Sequence, residues 1–197
     1  MTAHSVLVFY GSYRDPRYGI RLARYVTSRL NARGLDAELI DAREVGLPIL
    51  CKMYKEYPRG TAPAAMEALA GKIRAAQGFV FVCGEYNWGI QPGLKNLTDH
   101  FLEEWYWRPA AVISYSLQRT GGARASYSWH GILNEMGMIV TSSSISVSPI
   151  TEALDEDGNP TGDPGKYLDK NFPRFADDLV WWMEAAAAQR ERAAPPY

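Results

Sequence analysis

The chain has 197 residues, of which 47% are hydrophobic and 22% are charged. This is enough apolar material for a buried core, which excludes an intrinsically disordered chain and a mini-fold that depends on disulfides. The 21 Lys and Arg residues nearly balance the 22 Asp and Glu residues, for a net charge of -1. No overall charge attracts nucleic acid or an anionic membrane, so neither is predicted as a partner.

Cysteine and histidine usage excludes two further classes of protein. Cys51 and Cys83 are the only cysteines, and they show no metal-ligand spacing with the three histidines, so we predict neither a disulfide framework nor a metal site. The first apolar stretch, Ser5–Tyr10, is too short for a signal peptide or a membrane span, which predicts a cytoplasmic protein. The length predicts one domain over residues 1–197, in which 151–197 form a loop and a C-terminal helix.

In chain order, short apolar runs alternate with amphipathic stretches. The run Ser5–Tyr10 predicts a buried strand that ends at Gly11. Apolar residues then recur at helical spacing from Ile20 to Leu30, which predicts the first helix. A short second strand is predicted at Asp36–Asp41, and a second helix over about Ala64–Ala76 follows a polar loop.

The second half of the chain repeats this alternation. Phe79–Cys83 is apolar on both faces, which is typical of a central parallel strand. The later predicted elements are a helix beginning at Pro92, a strand at Ala110–Tyr115, a helix over about Arg124–Met136, a strand at Met138–Val147 and a helix over about Tyr167–Arg190. Five strands alternating with helices predict an α/β fold, a doubly wound five-stranded parallel sheet with helices on both faces.

Ligands of such sheets bind beyond the carboxyl ends of the strands, where three loops are expected to meet. The first loop, 11–18, leads into a helix N-terminus, which attracts anions, and Ser12, Arg14 and Arg17 add donors that suit a phosphate. A solvated turn with two surface arginines is the alternative for this loop. The glycine patterns of dinucleotide-binding loops and P-loops are both absent.

The other two loops add aromatic and glycine residues at the same edge. Loop 84–91 places two aromatic residues, an amide and a carboxylate between glycines, which suits a flat heteroaromatic ring. Its alternative is a turn whose aromatic residues cap the core. Loop 116–122 ends in two glycines, which allow a close backbone approach to a ligand, although a flexible connection alone would also explain it. Three such loops on one edge favour a ligand site.

The motifs in these loops resemble those of the NAD(P)H-dependent FMN reductases and related quinone reductases, a family with a flavodoxin-like fold. The segment 11–14, GSYR, is similar to the family's G-S-x-R phosphate loop. The segment 85–99, EYNWGIQPGLKNLTD, is similar to its P-E-Y-N-x-S/G-x-P-x-x-L-K-N-x-x-D signature. The segment 114–122 resembles its S-Y-G-x-x-G-G loop, and the resemblance runs in order from Val6 to Val147.

This resemblance implies FMN as the cofactor, NAD(P)H as the electron donor and three groups of cofactor-binding residues. The phosphate group comprises Ser12 and Arg14, with further contacts from Arg17, Gly19 and Ile20. The group for the ribityl chain and the isoalloxazine ring comprises Glu85, Tyr86, Asn87 and Trp88. The group on the other side of the flavin comprises Tyr115, Ser116, Gly121 and Gly122.

The chain also departs from the family pattern at three places. Gly84 replaces the proline before Glu85, and Ser116 replaces a glycine. Near Tyr18-Gly19 the expected serine or threonine of the phosphate loop is missing, which removes one phosphate donor that Arg17 can offset. A homodimer or homotetramer is implied by the resemblance, and Trp105, Tyr106 and Trp107 are either part of its interface or part of the core.

The resemblance implies a ping-pong reaction in which NAD(P)H delivers hydride to flavin N5 and leaves. A second small acceptor, such as a quinone, an azo compound, a chromate-like oxidant or free FMN, then takes the electrons at the same face. No catalytic protein residue is required, although Tyr115 or Glu85 could supply a proton. NADPH is expected over NADH because Arg119 and Arg124 lie near the third loop.

The main alternative is a non-catalytic flavodoxin-like FMN-binding electron carrier or redox sensor. Arg14 in the phosphate loop and the near-zero net charge disfavour a carrier with an acidic surface. A response-regulator receiver would need acidic residues where Gly11 and Ser12 stand. A hydrolase would need a nucleophile motif, which the sequence lacks.

Overall fold

The structure is a computed structural model that describes residues 4–197. A parallel β-sheet forms the centre of the fold. Its strands are Ser5–Tyr10 (β1), Asp36–Asp41 (β2), Gly78–Gly84 (β3), Pro109–Tyr115 (β4), Ile139–Val140 (β5) and Ile145–Val147 (β6). They run in the order β2-β1-β3-β4-β5, and β6 also pairs with β4. This is the strand order of a flavodoxin-like sheet and confirms the predicted fold class.

Helices cover both faces of the sheet, because parallel strands are joined by crossover connections. They are Gly19–Ala32 (α1), Ala42–Val45 (α2), Ala64–Ala75 (α3), Pro92–Asp99 (α4), Ala123–Glu135 (α5), Ile150–Ala153 (α6) and Gly162–Arg192 (α7). Two short 3-10 turns lie at Tyr54–Glu56 and Glu103–Trp105. No helix among residues 4–197 combines the length and the apolar character that a membrane span requires.

Two predicted boundaries were wrong. The strand predicted over Met138–Val147 is divided into β5 and β6 by residues 141–144, which are polar. Within that break, the backbone N–H of Ser143 donates to the Asp178 carboxylate at 2.8 Å. The last helix begins at Gly162 rather than Tyr167, and Pro164 lies in its first turn, where a missing N–H costs nothing.

The strand residues alternate between two buried clusters. Val6 and Val8 face the side covered by α1 and α7, whereas Leu7 and Phe9 face the side covered by α3, α4 and α5. Trp105 is fully buried in the second cluster, with its ring centroid 5.3 Å from that of Phe9. Trp105 is therefore a core residue, which is one of the two alternatives that the sequence left open for it.

Candidate functional site

The three predicted loops meet beyond the carboxyl ends of β1, β3 and β4. They enclose a narrow cleft of about 100 Å³. The cleft is lined by Tyr10, Ser12, Arg14, Pro16, Tyr18, Gly19, Glu85, Tyr86, Tyr115, Ser116, Leu117 and Ile150. Of the predicted site residues, Arg17, Ile20, Asn87, Trp88, Gly121 and Gly122 lie outside this lining. The structure therefore brings the three loops together as expected. Seven of the predicted site residues line the cleft, and the other six lie outside its lining.

The first loop presents donors to the cleft. The Ser12 hydroxyl lies 2.8 Å from the Tyr86 hydroxyl and accepts a 3.3 Å hydrogen bond from the Arg14 backbone N–H. Arg14 is exposed and, within the described chain, takes part in no salt bridge, so its charge is free. Helix α1 begins behind this loop, and its N-cap residue, Tyr18, makes no side-chain capping bond. An uncapped helix N-terminus beside a free guanidinium is suited to bind an anion.

Arg17 has a different position from the one its motif predicts. Its guanidinium donates to the Asp41 carboxylate at 2.6 Å and to the Ser12 carbonyl at 2.8 Å. It also lies over the Tyr10 ring, 5.0 Å from the centroid. Because Asp41 is only 2% exposed, this is a buried ion pair. Arg17 thus holds the loop in place, and a direct contact with phosphate stays a prediction.

The second loop folds into a tight hairpin between Tyr86 and Gly89. The two residues pair through reciprocal 2.9 Å backbone hydrogen bonds. Asn87 and Trp88 at the tip have φ angles of 48° and 70°, the left-handed region that non-glycine residues rarely adopt. The Trp88 side chain is 67% exposed, and the Arg124 guanidinium lies 4.0 Å from its ring centroid. A large aromatic residue held on the surface in strained backbone is more typical of a binding site than of a turn.

Glu85 joins the second loop to the third. Its carboxylate lies 3.5 Å from Arg124 Nη1 and accepts a 3.4 Å bond from the Thr120 hydroxyl. Its backbone N–H donates to the Tyr115 carbonyl at 3.1 Å. The Glu85 side chain is only 10% exposed. These contacts hold the base of the hairpin against the loop after β4.

The Tyr115 ring lies against two of the three positions that depart from the family pattern. A Cβ added to Gly19 would lie 2.1 Å from Tyr115 Cζ, and one added to Gly84 would lie 2.7 Å from the same atom. The ring therefore fills the space that side chains at both positions would occupy. Gln91, fully buried, donates its amide N–H to the Tyr115 hydroxyl at 2.7 Å.

The remaining predicted residues shape the third loop and the nearby core. The Ser116 hydroxyl donates to the Gln118 carbonyl at 2.5 Å and so tightens the turn. Gly122 has a φ of 81°, and a Cβ there would lie 2.7 Å from the Tyr115 carbonyl oxygen. Gly121 approaches Ser146 in the same way. Ile20 packs against the core on the α1 side of the sheet.

Sequence reasoning missed several lining residues, of which Tyr10 is the most informative. It is the last residue of β1 and is fully buried, with its hydroxyl 3.4 Å from that of Tyr115. A tyrosine at the end of a buried strand needs a hydrogen-bond partner for its hydroxyl, so its position in the sequence could have predicted a polar group or a ligand site nearby. Leu117, Ile150 and Tyr18 also line the cleft, but the tertiary fold brings them there and no local sequence pattern predicts it.

Thiol chemistry has no support at this site. Burial raises the pKa of Cys83 to about 12, so its thiol is protonated and unreactive at neutral pH. Cys51, the other cysteine, lies on an exposed loop outside the cleft lining. Among residues 4–197, no group of His, Cys, Asp and Glu side chains is arranged to hold a metal ion.

The donor set fits one end of FMN. Ser12, Arg14 and the uncapped start of α1 are the donors that a phosphate monoester requires. The cleft of about 100 Å³ is smaller than the roughly 300–1,000 Å³ of typical ligand pockets, so it can take only part of such a molecule. The exposed ring of Trp88 offers an apolar surface beside it.

The structure is a flavodoxin-like fold in which a loop with exposed donors lies next to an aromatic hairpin. The flavoenzyme NAD(P)H:(acceptor) oxidoreductase FerB from Paracoccus denitrificans has a similar fold, with a TM-score of 0.74 and 23% identity over 93% of this chain and 99% of that one. A flavodoxin from Pseudomonas aeruginosa has a TM-score of 0.54 at 18% identity, covering 89% of this chain and 99% of that one. At these identities the similarity shows the fold.

The chain belongs to the NADPH-dependent FMN reductase family, whose pattern matches residues 4–152. An NAD(P)H-dependent FMN reductase from Nectria sp. is 32% identical over 61% of this chain and 63% of its own length. One from Saccharomyces cerevisiae is 27% identical over 68% and 75%, and the Escherichia coli quinone reductase is 39% identical over 36% and 40%. The chain thus spans just under two thirds of the Nectria relative. The resemblance found in the sequence is confirmed.

Proposed function

We propose that the protein is an FMN-dependent oxidoreductase that takes electrons from NAD(P)H and passes them to a small acceptor, such as a quinone or free FMN, by a ping-pong reaction. The observation that carries this proposal is the free Arg14 guanidinium beside the uncapped N-terminus of α1, at the edge where the aromatic hairpin stands. An anion site next to an exposed aromatic surface is what a phosphorylated flat ring requires. The choice of NAD(P)H as the electron donor rests on the family and on the names of its relatives.

When bound, FMN would supply the two-electron redox chemistry between NAD(P)H and the acceptor. The protein's part is binding and orientation. Ser12, Arg14 and the α1 N-terminus would hold the phosphate, while Arg17 positions the loop through Asp41. Of the predicted contacts outside the cleft lining, those of Ile20, Gly121 and Gly122 are proposed through the backbone, because Ile20 packs against the core and the two glycines have no side chain. Asn87 is proposed as a contact from the tip of the hairpin.

Two side chains differ in their capacity to supply a proton. Burial raises the pKa of Tyr115 well above its ordinary value, and its hydroxyl is already bonded to Gln91, so it is a poor acid. Glu85 lines the cleft and is the better candidate. Replacing Tyr115 by Phe is then expected to leave the rate of the second half-reaction nearly unchanged once FMN is saturating.

The proposed preference for NADPH rests on two arginines of the third loop and α5. Arg119 is exposed and makes no salt bridge within residues 4–197, so it can meet a 2′-phosphate. Arg124 already contacts Glu85 and Trp88, so it is less available to a 2′-phosphate than Arg119 is.

A homodimer or homotetramer is also proposed, with α4 and α5 between subunits, since Tyr127 on α5 is 83% exposed beside Trp88. The cytoplasmic location stays a prediction.

The first experiment is an absorbance spectrum of the purified protein with FMN, followed by anaerobic NADPH and, separately, NADH. The expected result is a bound-flavin spectrum that bleaches with NADPH and recovers when a quinone is added. Binding without bleaching by either nucleotide would instead support the electron carrier or sensor. No binding would leave the fold without the proposed function.

A matched pair of variants links this result to the site. Arg14→Ala is expected to weaken FMN binding roughly tenfold, because it removes a charged donor to the phosphate. Arg24→Ala removes another exposed arginine, on α1 and outside the cleft lining, and is expected to leave FMN affinity unchanged. Equal effects of the two substitutions would mean that Arg14 acts only through overall charge.

A further inference from the structure

A second cavity lies at the end of the sheet opposite the cleft. Its volume is about 510 Å³, within the roughly 300–1,000 Å³ of typical ligand pockets. Its walls come from the last turns of α7, the segment 193–196, Trp107 and Ile139. Ile139 pairs with Pro109 at the start of β4, whereas Tyr115 at the end of β4 lines the cleft, so the length of that strand separates the two sites by about 20 Å.

Trp107 is held at this cavity in an unusual backbone conformation. Its φ of 62° lies in the left-handed region that non-glycine residues rarely adopt. Its backbone N–H donates to the Gly137 carbonyl at 3.0 Å, and its carbonyl accepts from Arg190 Nη1 at 3.1 Å. Its indole Nε1 donates to the main-chain oxygen of Tyr197 at 3.0 Å, and the two rings pack with their centroids 4.8 Å apart. These contacts fold the segment 193–197 back against Trp107, and strained backbone held in this way is typical of a binding site.

The lining is apolar and aromatic. Trp107 and Trp182 contribute two indole rings, and Ala185 and Ala186 leave room beside them because they have no side chain beyond Cβ. Trp182 is 38% exposed and Ile139 is 44% exposed. Exposed apolar surface that is concentrated in one place marks an interaction site, and a flat ring can bury it by stacking on an indole face.

The charged groups near the cavity favour an anionic ligand. Arg190 is half-buried, and its one hydrogen bond within residues 4–197 joins Nη1 to the Trp107 carbonyl, which leaves Nε and Nη2 for a ligand. Burial and the nearby charge of Arg190 both lower the pKa of Arg108, so two guanidinium groups share this end of the sheet. No acidic side chain is among the described residues that line the cavity. A carboxylate would therefore find donors here and meet no like charge in the lining.

We propose that this cavity binds a flat aromatic carboxylate, with its ring against Trp107 and Trp182 and its carboxylate on the Arg190 guanidinium. The inference goes beyond the proposed function, because the cavity is remote from the cleft and its ligand needs no flavin. A small ligand is favoured over a second copy of the chain because three separate parts of the chain wall the cavity, and because the only charge in the lining is positive.

Isothermal titration calorimetry with 2-naphthoate and with the uncharged 2-naphthalenemethanol tests the chemistry of the ligand. The protein is expected to bind 2-naphthoate with a Kd of about 1 mM or lower, and the alcohol roughly three- to tenfold more weakly, the range for a partly exposed ion pair with hydrogen bonds. Arg190→Gln should abolish this difference by lowering the affinity for the acid alone. Arg174→Gln, which removes an exposed arginine of α7 outside the lining, should change neither affinity.

A second matched pair of variants tests the cavity itself. Ala186→Leu places a larger side chain in the cavity and should abolish the binding of both probes. Ala188→Leu changes an exposed alanine of the same helix outside the lining and should leave both affinities unchanged. Leucine is a good helix former, so both variants should keep α7, which far-ultraviolet circular dichroism checks.

Four results would overturn the inference: no binding of 2-naphthoate by the wild type, equal affinities for the two probes, binding that Ala186→Leu leaves intact, or an unchanged difference between the probes in Arg190→Gln. Sedimentation of the wild type and of Ala186→Leu adds a fifth, since self-association that this substitution disperses would assign the surface to a second copy of the chain. FMN binding should be the same in all four variants, so this inference and the proposed function can fail separately.

Discussion

At the scale of single residues, Tyr115 limits what its neighbours can be. Its ring occupies the space above Gly19 and beside Gly84, so these glycines are required by packing rather than by backbone conformation. The motif could show that both positions depart from the family. It could not show why, since the direction of a tyrosine ring depends on tertiary contacts that no local pattern encodes.

The first prediction concerns Gly19, the first residue of α1. Gly19→Ala is expected to lower the free energy of unfolding by about 1–3 kcal/mol, because its Cβ would overlap the Tyr115 ring. The cost should shrink by at least about 1 kcal/mol in a Tyr115→Leu background, which a double-mutant cycle in urea measures. Gly71→Ala in α3 is the control: nothing lies within 4 Å of its added Cβ, so alanine should stabilise that helix. A cost of Gly19→Ala that Tyr115→Leu does not reduce would contradict the packing argument.

The second prediction concerns the ion pair of Arg17 and Asp41. Arg17→Met should destabilise the protein by about 3–5 kcal/mol, because Asp41 is left buried without its partner. Adding Asp41→Asn should recover part of this loss. Arg29→Met breaks a half-exposed pair with Asp169 and should cost less than about 1 kcal/mol. Similar losses for the two arginines in chemical denaturation would show that burial does not matter here.

At the scale of elements, strands and helices were predictable from their hydrophobic patterns. The strands of a parallel sheet are buried on both faces and so are continuous apolar runs, whereas the crossover helices pack one face on the sheet and so are amphipathic. The three loops could also be assigned to one edge, since parallel strands end on the same side. The hairpin at Tyr86 was not foreseen as a hairpin. Its tip carries Asn87 and Trp88 rather than the Asn-Gly pair that signals such a turn.

The third prediction concerns this hairpin. Trp88→Gly relieves the left-handed backbone but removes the stacking with Arg124, so the free energy of unfolding should change by less than about 1 kcal/mol. FMN affinity should nevertheless fall roughly tenfold, because an aromatic surface for the ring is lost. Trp181→Ala, which removes a similarly exposed tryptophan from α7, should leave that affinity unchanged. Calorimetric binding of FMN to both variants distinguishes a site residue from a surface residue.

At the scale of the whole molecule, the sheet separates two cores, and its doubly wound parallel arrangement was predictable from the alternation of strands and helices in the sequence. The division of the last strand was less predictable, because Ser142 and Ser143 bond to Asp178 of α7, which is distant along the chain. The early start of α7 was hidden by a loop-like composition rich in glycine and proline. Such long-range contacts decide boundaries that composition leaves open.

The fourth prediction concerns stability in alkali. Burial raises the pKa of Tyr10, Tyr25 and Tyr115 above 10, the value expected in the unfolded chain. Below pH 10 both states are protonated and stability is unaffected. Above it the unfolded state ionises first, so each such tyrosine lowers the free energy of unfolding by about 1.4 kcal/mol per pH unit. Urea titrations from neutral to alkaline pH measure this slope, and Tyr10→Phe combined with Tyr115→Phe should reduce it.

The contact of one tyrosine ring with two glycines also constrains how the protein can have diverged. A side chain at position 19 or 84 requires the ring of Tyr115 to move, so the three positions are coupled through the orientation of that ring. The family pattern keeps a tyrosine at position 115 together with proline before Glu85 and serine or threonine near position 19, so homologues that follow the pattern should hold this ring in another orientation. An intermediate that gained one of these side chains while its tyrosine ring stayed in place would lose stability.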